Sequence, residues 1–94
     1  MIQTDGVQGT SFELSASETL IGRNPTADIT LLDEGISREH VVILLDEESG
    51  VYTVEDLQST NGTKVNGKRV RSAPLSSGDI VELGQTRLEF ILEG

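Results

Sequence analysis

Short runs of apolar or alternating residues, each bounded by turn residues, recur along this chain and leave no room for a long helix. None of the runs continues with the 3.6-residue spacing of an amphipathic helix, whereas short strands at regular intervals are typical of an antiparallel sandwich or barrel. The sequence therefore predicts an all-β fold, an antiparallel β-sandwich. The nine predicted strands are Thr10–Leu14, Thr19–Gly22, Asp28–Leu31, His40–Leu45, Val51–Asp56, Thr63–Val65, Arg69–Val70, Asp79–Leu83 and Thr86–Leu92, and a further short strand is predicted at Met1–Thr4.

The clearest local signal for a hairpin is Asn66-Gly67, which separates Thr63–Val65 from Lys68–Val70. Asn-Gly is typical of two-residue hairpin turns because both positions need a positive φ, which these residues adopt at low cost. Further turns are predicted at Asp5-Gly6, Ser49-Gly50 and Ser77–Asp79.

A second hairpin is predicted in the middle of the chain. Val41–Leu45 is continuously apolar, as expected for a central strand covered on both faces, and Val51–Glu55 is mixed, as expected for a partly exposed neighbour. The acidic segment Asp46–Gly50 is expected to form the solvated turn between them, at the end of the sheet opposite the basic loops.

Size and composition limit the class of protein. The chain has 94 residues, a formal net charge of −9, no cysteine and one histidine. Residues 1–94 are expected to form a single domain, which is monomeric when isolated. The same domain could also be one part of a longer protein. The acidic surface disfavours nucleic acid and membrane surfaces as partners, because both are polyanions. No metal or cofactor is expected, and the lack of a signal-peptide or membrane-spanning pattern predicts a cytoplasmic protein.

Basic residues are concentrated in turns. Six of the seven lie in three loop-like stretches, at Arg23, at Arg38 and within Lys64–Arg71. Charge that served only solubility would not be clustered in this way on an acidic protein, so the pattern predicts a local anion site. The connections that are expected to meet at one edge of the sandwich are Arg23–Ala27, Asp33–Glu39 and Leu57–Gly62. The residues in these turns that can offer donors to phosphate oxygens are Gly22, Ser37, Asn61, Gly62 and Thr63.

Four short motifs follow one another in a fixed order: Gly22-Arg23, Ser37-Arg38-Glu39-His40, Ser59-Thr60-Asn61-Gly62-Thr63 and Asn66-Gly67. Together they closely resemble the forkhead-associated (FHA) domain family over nearly the whole chain. The resemblance implies a β-sandwich of the forkhead-associated type whose apical loops bind a phosphothreonine in an extended peptide. The implied partner is a protein segment phosphorylated by a Ser/Thr kinase, or the kinase itself. The preference for phosphothreonine over phosphoserine is also implied by the family.

Three candidate phosphate ligands come from the first two motifs. Arg23 presents a planar fork of donors that can bind two phosphate oxygens at once. Ser37 offers a hydroxyl where the chain enters a buried strand, which would hold the donor in place. Arg38 either adds a second positive charge at the phosphate or points toward Asp33 or Glu34, because neighbouring residues on an extended segment face opposite sides.

The third motif supplies two further candidates. The amide of Asn61 carries both a donor and an acceptor and can bind the main chain of an extended ligand, while Thr60 offers a hydroxyl near the phosphate. Gly62 is explained by a turn that needs a left-handed residue, and the hairpin turn explains both Asn66 and Gly67. These three glycine and asparagine positions are therefore assigned, together with Gly22, to structural support of the site.

His40 allows two interpretations. A Ser37–His40 pair could act as nucleophile and base in a hydrolase, but that chemistry also needs an orienting carboxylate and an oxyanion hole, so we reject it. The resemblance implies instead that His40 is structural, a buried imidazole bonded to backbone groups of the binding loops. The chain is accordingly expected not to be an enzyme.

An alternative from another functional class is a scaffold or oligomerisation module that binds a partner irrespective of phosphate. The four basic residues of Lys64–Arg71 are assigned first to a solvated sheet edge that resists strand pairing, and second to contacts with the flanks of the peptide. The acidic pair Asp33-Glu34 favours a peptide with basic flanks.

Overall fold

A computed structural model describes residues 2–4, 11–12, 14 and 17–92 of the chain. Within these residues eleven strands form two sheets, of order β2-β1-β11-β10-β7-β8 and β4-β3-β5-β6-β9. The strands are β1 (Ile2–Thr4), β2 (Ser11–Phe12), β3 (Glu18–Gly22), β4 (Ile29–Thr30), β5 (Val41–Asp46), β6 (Val51–Asp56), β7 (Thr63–Val65), β8 (Lys68–Val70), β9 (Ser72–Leu75), β10 (Ile80–Leu83) and β11 (Thr86–Phe90).

The core lies between the two sheets and is almost entirely aliphatic. Its fully buried members come from both sheets, with Ile21, Val41 and Val54 from one and Val81, Leu83, Leu88 and Phe90 from the other. Tyr52 packs the edge of its ring against Phe90, with the ring centroids 5.2 Å apart. The predicted all-β sandwich is therefore confirmed, and its stability rests on the packing of branched side chains from alternating strand positions.

One strand was not predicted. Ser72–Leu75 forms β9, which pairs with β6 in the register Thr53↔Pro74. Proline cannot donate a ladder hydrogen bond and argues against a central strand, but β9 is the edge of the five-stranded sheet and has a partner on one side only. The proline at position 74 is therefore compatible with a strand, provided that the strand lies at the edge of the sheet.

The N-terminal predictions are covered in part. The predicted strand Met1–Thr4 corresponds to β1, which pairs with β11 in the register Ile2↔Phe90. Of the predicted strand Thr10–Leu14, only Ser11–Phe12 is observed as β2, while Thr10 and Glu13 lie outside the described residues. The predicted turn Asp5-Gly6 also lies outside them.

Two features of the five-stranded sheet differ from expectation. The pair β3·β4 is parallel, in the register Ile21↔Ile29, although the sheet is otherwise antiparallel. In β5, Val41 and Ile43 are buried but Val42 and Leu44 are only half-buried, so the prediction of cover on both faces was wrong. The strand is central by its hydrogen bonding, yet one of its faces looks outward.

The strand registers bring five connections to one end of the sandwich, which we call the apical end: residues 23–28, 31–40, 57–62, 71 and 84–85. The predicted convergence of loops is confirmed. The β5–β6 hairpin is also as predicted, and its acidic turn 47–50 lies at the opposite end. The described part of the chain contains no helix that is long and apolar enough to cross a membrane.

Candidate functional site

The ladder between β3 and β5 continues past the strands and fixes two of the predicted residues at the apical end. The backbone N–H of His40 donates to the carbonyl oxygen of Ile21 at 3.0 Å, and the N–H of Arg23 donates to the carbonyl of Ser37 at 3.0 Å. The N–H of Asn24 donates in turn to the carbonyl of Arg38 at 3.1 Å. These bonds hold the Arg23 and Ser37 backbones side by side.

Gly22 is required by the closeness of these two segments. A Cβ at position 22 would lie 1.9 Å from the carbonyl oxygen of Arg38 and 2.7 Å from its carbonyl carbon. Gly22 has no positive φ, so the reason for glycine here is close approach and not backbone conformation. The loop that carries Arg38 can lie against β3 only because position 22 lacks a side chain.

His40 is fully buried and joins two apical loops through both of its ring nitrogens. Nδ1 accepts a hydrogen bond of 3.1 Å from the backbone N–H of Ser37, and Nε2 lies 2.8 Å from the carbonyl oxygen of Gly62. Since an N–H can only donate and a carbonyl can only accept, the ring proton must be on Nε2. The serine contributes its backbone N–H and not its hydroxyl, so this is not the geometry of a nucleophile and its base.

Side-chain bonds then attach loop 57–62 to loop 31–40. The hydroxyl oxygen of Ser37 accepts a hydrogen bond of 3.0 Å from the backbone N–H of Thr60. The side-chain Nδ2 of Asn61 donates to the carbonyl oxygen of Gly35 at 2.9 Å. Thr60 and Asn61 are both exposed, so their remaining polar atoms face solvent beside Ser37.

Asp56, at the end of β6, organises the turn that presents Thr60 and Asn61. Its carboxylate accepts hydrogen bonds from the backbone N–H of Ser59 at 2.9 Å, from the hydroxyl of Ser59 at 2.6 Å and from the hydroxyl of Thr63 at 2.6 Å. Burial opposes ionisation of this carboxylate, but the hydrogen bonds from Ser59 and Thr63 outweigh it and lower the pKa of Asp56. Sequence reasoning missed Asp56, although an Asp three residues before a Ser in a loop is a known capping pattern.

Asp33 plays the corresponding part in loop 31–40. Its carboxylate accepts hydrogen bonds of 2.8 Å from the backbone N–H of Gly35, the backbone N–H of Gln85 and the hydroxyl of Thr86. The bond from Thr86 is the largest of the influences that lower the pKa of Asp33. One carboxylate oxygen bonds Gly35 within the loop and the other bonds Gln85 and Thr86, so Asp33 anchors the loop to the β10–β11 turn.

Two cations stand at the mouth of the site. Arg23 and Arg38 are exposed and line one open cavity of about 390 Å³ together with Asn24 and Pro25. Within the part of the chain that the structure describes, neither guanidinium forms a salt bridge, including with Asp33 or Glu34. Of the two orientations considered for Arg38, the structure therefore favours the one on the side of Arg23.

The structure brings together all five predicted ligand-binding residues at the apical end: Arg23, Ser37, Arg38, Thr60 and Asn61. Three predicted support residues, Gly22, His40 and Gly62, lie directly beneath them. The remaining two do not. Asn66 (φ 52°) and Gly67 (φ 84°) form the turn at the other end of β7, where the Asn66 side chain bonds Asp79 and Ile80.

Such an arrangement is suited to binding a tetrahedral oxyanion. It combines two guanidiniums that no described acidic group neutralises with a hydroxyl and an amide, all mounted on loops that are bonded to one another. Charge-assisted hydrogen bonds from guanidinium are about twice as strong as neutral ones. Loops already fixed in the absence of ligand lose little conformational entropy when it binds.

Comparison with known proteins places this geometry in a family. Residues 19–84 match the FHA domain family. The chain is 43% identical over 83 residues to the glycogen accumulation regulator GarA of Mycolicibacterium smegmatis, covering 88% of this chain and 51% of that protein. It is 37% identical over 87 residues to the FHA domain-containing protein FhaA of Mycobacterium tuberculosis, covering 93% of this chain and 16% of that protein. The chain thus spans about half the length of GarA and a small part of FhaA.

Solved structures show the same fold. The FhaA FHA domain, crystallised in complex with the intracellular domain of Rv3910, superposes with a TM-score of 0.86 at 36% identity, covering 94% of each chain. A structure described as an analysis of phosphothreonine-dependent FHA domain interactions superposes with a TM-score of 0.92 at 34% identity, covering 99% of this chain and 95% of the other.

Proposed function

This chain belongs to the FHA domain family, and we propose on that basis that it reads phosphothreonine in proteins phosphorylated by Ser/Thr kinases. The observation that carries the proposal is that the Arg23 and Arg38 side chains line one cavity at the apical end and that the backbone of Arg23 is bonded to that of Ser37. The similar structure that concerns phosphothreonine-dependent interactions supports the class of ligand. A phosphate at neutral pH carries a charge of about −1.5 to −2 and three acceptor oxygens, which matches a site of this composition.

Arg23 and Ser37 bind the phosphate in this proposal. The backbone bond from Arg23 to Ser37 keeps their side chains on neighbouring segments. The Ser37 hydroxyl already accepts the N–H of Thr60, which directs its own proton away from that donor and leaves it for a phosphate oxygen. Arg38 lines the same cavity as Arg23 and supplies the second positive charge.

Asn61 and Thr60 bind the ligand beside the phosphate. One hydrogen of the Asn61 amide is used by Gly35, which fixes the orientation of the side chain. Its second hydrogen and its carbonyl oxygen are then available for the main chain of an extended peptide. Binding of the main chain is independent of sequence, so the phosphate and the flanking residues would provide selectivity.

The proposed role is recruitment without catalysis. Both ring nitrogens of His40 are used by backbone groups, so this histidine is not available to activate the Ser37 hydroxyl. A short phosphopeptide buries a small area, and an affinity around micromolar, about −8 kcal/mol, is expected. The cytoplasmic location expected from the sequence and the monomeric state are part of the same proposal.

A second function is favoured by one observation. Leu32, in the apical loop 31–40, is 93% exposed to solvent. It lies on a segment that the hydrogen bonds of Asp33 hold in place. A single exposed leucine is common on protein surfaces, but one in an anchored apical loop can add apolar area to a contact with a folded partner whether or not that partner is phosphorylated. Capture of a partner that is unaffected by phosphatase treatment would favour this function over phosphothreonine reading.

The experiment that tests the main proposal is calorimetric titration with a library of peptides that differ at one residue. Phosphothreonine peptides should bind, unphosphorylated threonine peptides should not, and phosphoserine peptides should bind about fourfold more weakly or worse, since one buried methyl contributes about 0.8 kcal/mol. Equal affinity for the phosphorylated and unphosphorylated forms would overturn the proposal.

A further inference from the structure

A second groove that contains two arginines lies beside the phosphate site and shares none of the lining residues of the cavity between Arg23 and Arg38. We call it the Arg69–Arg71 groove; its lining includes Arg69, Arg71, Gln58, Ser59, Gly62 and Glu55, and its volume is about 690 Å³. Loop 57–62 stands between the two sites. It bonds to Ser37 through Thr60 and lies against Arg69 through Gly62.

The guanidinium of Arg69 lies directly on this loop. A Cβ at position 62 would come within 2.7 Å of Nε, 2.9 Å of Cζ and 3.0 Å of Nη2 of Arg69. The absence of a side chain at Gly62 thus allows the charge of β8 to lie next to Asn61, which is one residue away. A ligand segment held by Asn61 would therefore pass within reach of Arg69.

The groove carries two arginines and two carboxylates, Glu55 and Asp56, so its formal charge is zero and an anion would be bound only by direct contact with the guanidiniums. Among the described residues neither Arg69 nor Arg71 forms a salt bridge. Asp56 also lines the groove, and its hydrogen bonds from Ser59 and Thr63 fix the carboxylate without removing its negative charge. Glu55 is the acidic residue of the groove whose carboxylate has no such partner, and its charge opposes an incoming anion.

Gln58 adds a feature that points to a ligand. Its φ is +60°, a left-handed conformation that is costly for a residue other than glycine, asparagine or aspartate. Strain of about 1 kcal/mol or more of this kind is concentrated at binding sites. Here the exposed Gln58 lines the groove with the two arginines, and its side-chain amide offers an additional donor.

We propose that the Arg69–Arg71 groove binds a second anionic side chain of the same ligand, a carboxylate or a second phosphate in the segment that flanks the phosphothreonine. This inference rests on the proposed function and adds to it a preference for an acidic flank. On a protein of net charge −9 such an anion is attracted only locally, and a screening length of about 8 Å keeps distant carboxylates from cancelling the two arginines. The basic flanks expected from Asp33-Glu34 concern loop 31–40 and not this groove, and they stay a separate prediction.

The test compares phosphothreonine peptides of equal length in titrations against the whole chain. One peptide has neutral flanks, two carry a pair of glutamates on the N-terminal or the C-terminal side, and two carry a second phosphoserine on either side. At least one acidic peptide should bind about three- to tenfold more tightly than the neutral one, with the advantage shrinking at high salt. Comparison of the glutamate and phosphoserine peptides identifies which anion the groove accepts.

Substitutions in the groove test whether it is responsible for the tighter binding of the acidic phosphopeptides. The double variant Arg69→Ala/Arg71→Ala should lose the advantage of the acidic peptide and keep its affinity for the neutral one. Lys68→Ala is the matched control, because it removes a positive charge from the same strand at the end distant from Gly62. Glu55→Gln should strengthen binding of the acidic peptide. Equal binding of all the phosphopeptides, or an advantage that survives in the double variant, would overturn the inference.

The two proposals fail in different ways. If the neutral phosphothreonine peptide does not bind the unmodified chain, the proposed function is wrong and this inference falls with it. If that peptide binds but the acidic flanks make no difference, only the inference is wrong. Thermal unfolding of each variant distinguishes a lost contact from a lost fold.

Discussion

The Nε2 atom of His40 lies 2.8 Å from the carbonyl oxygen of Gly62, a residue 22 positions further along the chain. This single bond joins the loop that carries Ser37 to the loop that carries Thr60 and Asn61. Since the opposite ring nitrogen accepts the N–H of Ser37, the imidazole fixes the separation of the two loops from below.

The first prediction concerns His40. His40→Ala should lower the free energy of unfolding by about 2 to 4 kcal/mol, because it leaves a cavity and deprives Ser37 and Gly62 of buried hydrogen-bond partners. Chemical denaturation measures the loss, and Glu39→Ala, at an exposed neighbour, is the control. In addition, nitrogen NMR of the unmodified chain should show the ring proton on Nε2. A ring protonated on Nδ1 alone would contradict the structure.

The second prediction separates binding from stability at Arg23. Arg23→Ala should weaken binding of a phosphothreonine peptide about 100-fold, which corresponds to the loss of about 3 kcal/mol of charged hydrogen bonds. The free energy of unfolding should not change, since the side chain is exposed and forms no salt bridge within the described residues. Arg23→Lys should recover only part of the affinity because an ammonium lacks the planar fork. Lys68→Ala should bind as the unmodified chain does.

The third prediction concerns the close approach at Gly22. In Gly22→Ala the new methyl would meet the carbonyl of Arg38, so that either the loop moves or the fold loses about 2 kcal/mol or more. Binding should weaken in both cases, because Arg38 and Ser37 are displaced. Gly50→Ala is the control at the opposite end, where a methyl meets nothing within 4 Å but a φ of +74° is strained. That variant should lose about 1 kcal/mol of stability with unchanged peptide affinity.

The fourth prediction contrasts two asparagines. Both Asn61→Asp and Asn61→Ala remove the donor to Gly35, but Asn61→Asp should weaken phosphopeptide binding more because it also places a negative charge beside the phosphate. Asn66→Ala should instead lower stability by about 1 to 2 kcal/mol, because Asn66 bonds Asp79 and Ile80 far from the apical end. Loss of affinity in a fully folded Asn66→Ala variant would show that the far turn influences the site.

The fifth prediction concerns pH. The pKa values of Asp33 and Asp56 are lowered from 3.8 in the folded protein, so the folded state favours the ionised carboxylates. Their stabilisation is fully present above that value and is lost as the pH falls through the lower folded values. Unfolding experiments should therefore show stability falling below about pH 4. In Asp56→Asn this dependence should be weaker, and a dependence as steep as in the unmodified chain would contradict the role given to Asp56.

Phosphopeptide binding should respond to pH in a different range. The second ionisation of a phosphate has a pKa of about 6, so the ligand loses charge between pH 7 and pH 5 while the fold is still intact. Calorimetry across this range should show weaker binding without any change in thermal unfolding. Coincident loss of binding and fold would indicate that the loops themselves are titrating.

The position of the candidate residues at the apical end could be predicted because four motifs in a fixed order resemble those of a known family, whereas each motif alone is weak evidence. Arg23, Ser37 and Asn61 are donors placed in turns, and their order along the chain was sufficient to bring them together. Asp33 and Asp56 were missed because a carboxylate in an acidic chain is unremarkable until its partners are known. Three of those partners, Thr63, Gln85 and Thr86, are 7, 52 and 53 residues away along the chain.

Strand prediction failed where the structural preference of a residue depends on where its strand lies in the sheet. Pro74 argues against a strand in general, and only the sheet order shows that β9 is an edge where proline is tolerated. The run Val41–Leu45 indicated full burial, yet the alternation of a strand leaves Val42 and Leu44 half-exposed. Apolar composition alone cannot distinguish a two-sided strand from one that is apolar on its outer face.

The anchors of the apical loops, Asp33, His40 and Asp56, bond from beneath, whereas Leu32, Glu34 and Gln58 project from the same loops into solvent. Evolution can therefore exchange the projecting side chains without rebuilding the scaffold that displays them. The same division gives a protein engineer a short set of positions to randomise when a reader of a different phosphorylated sequence is wanted.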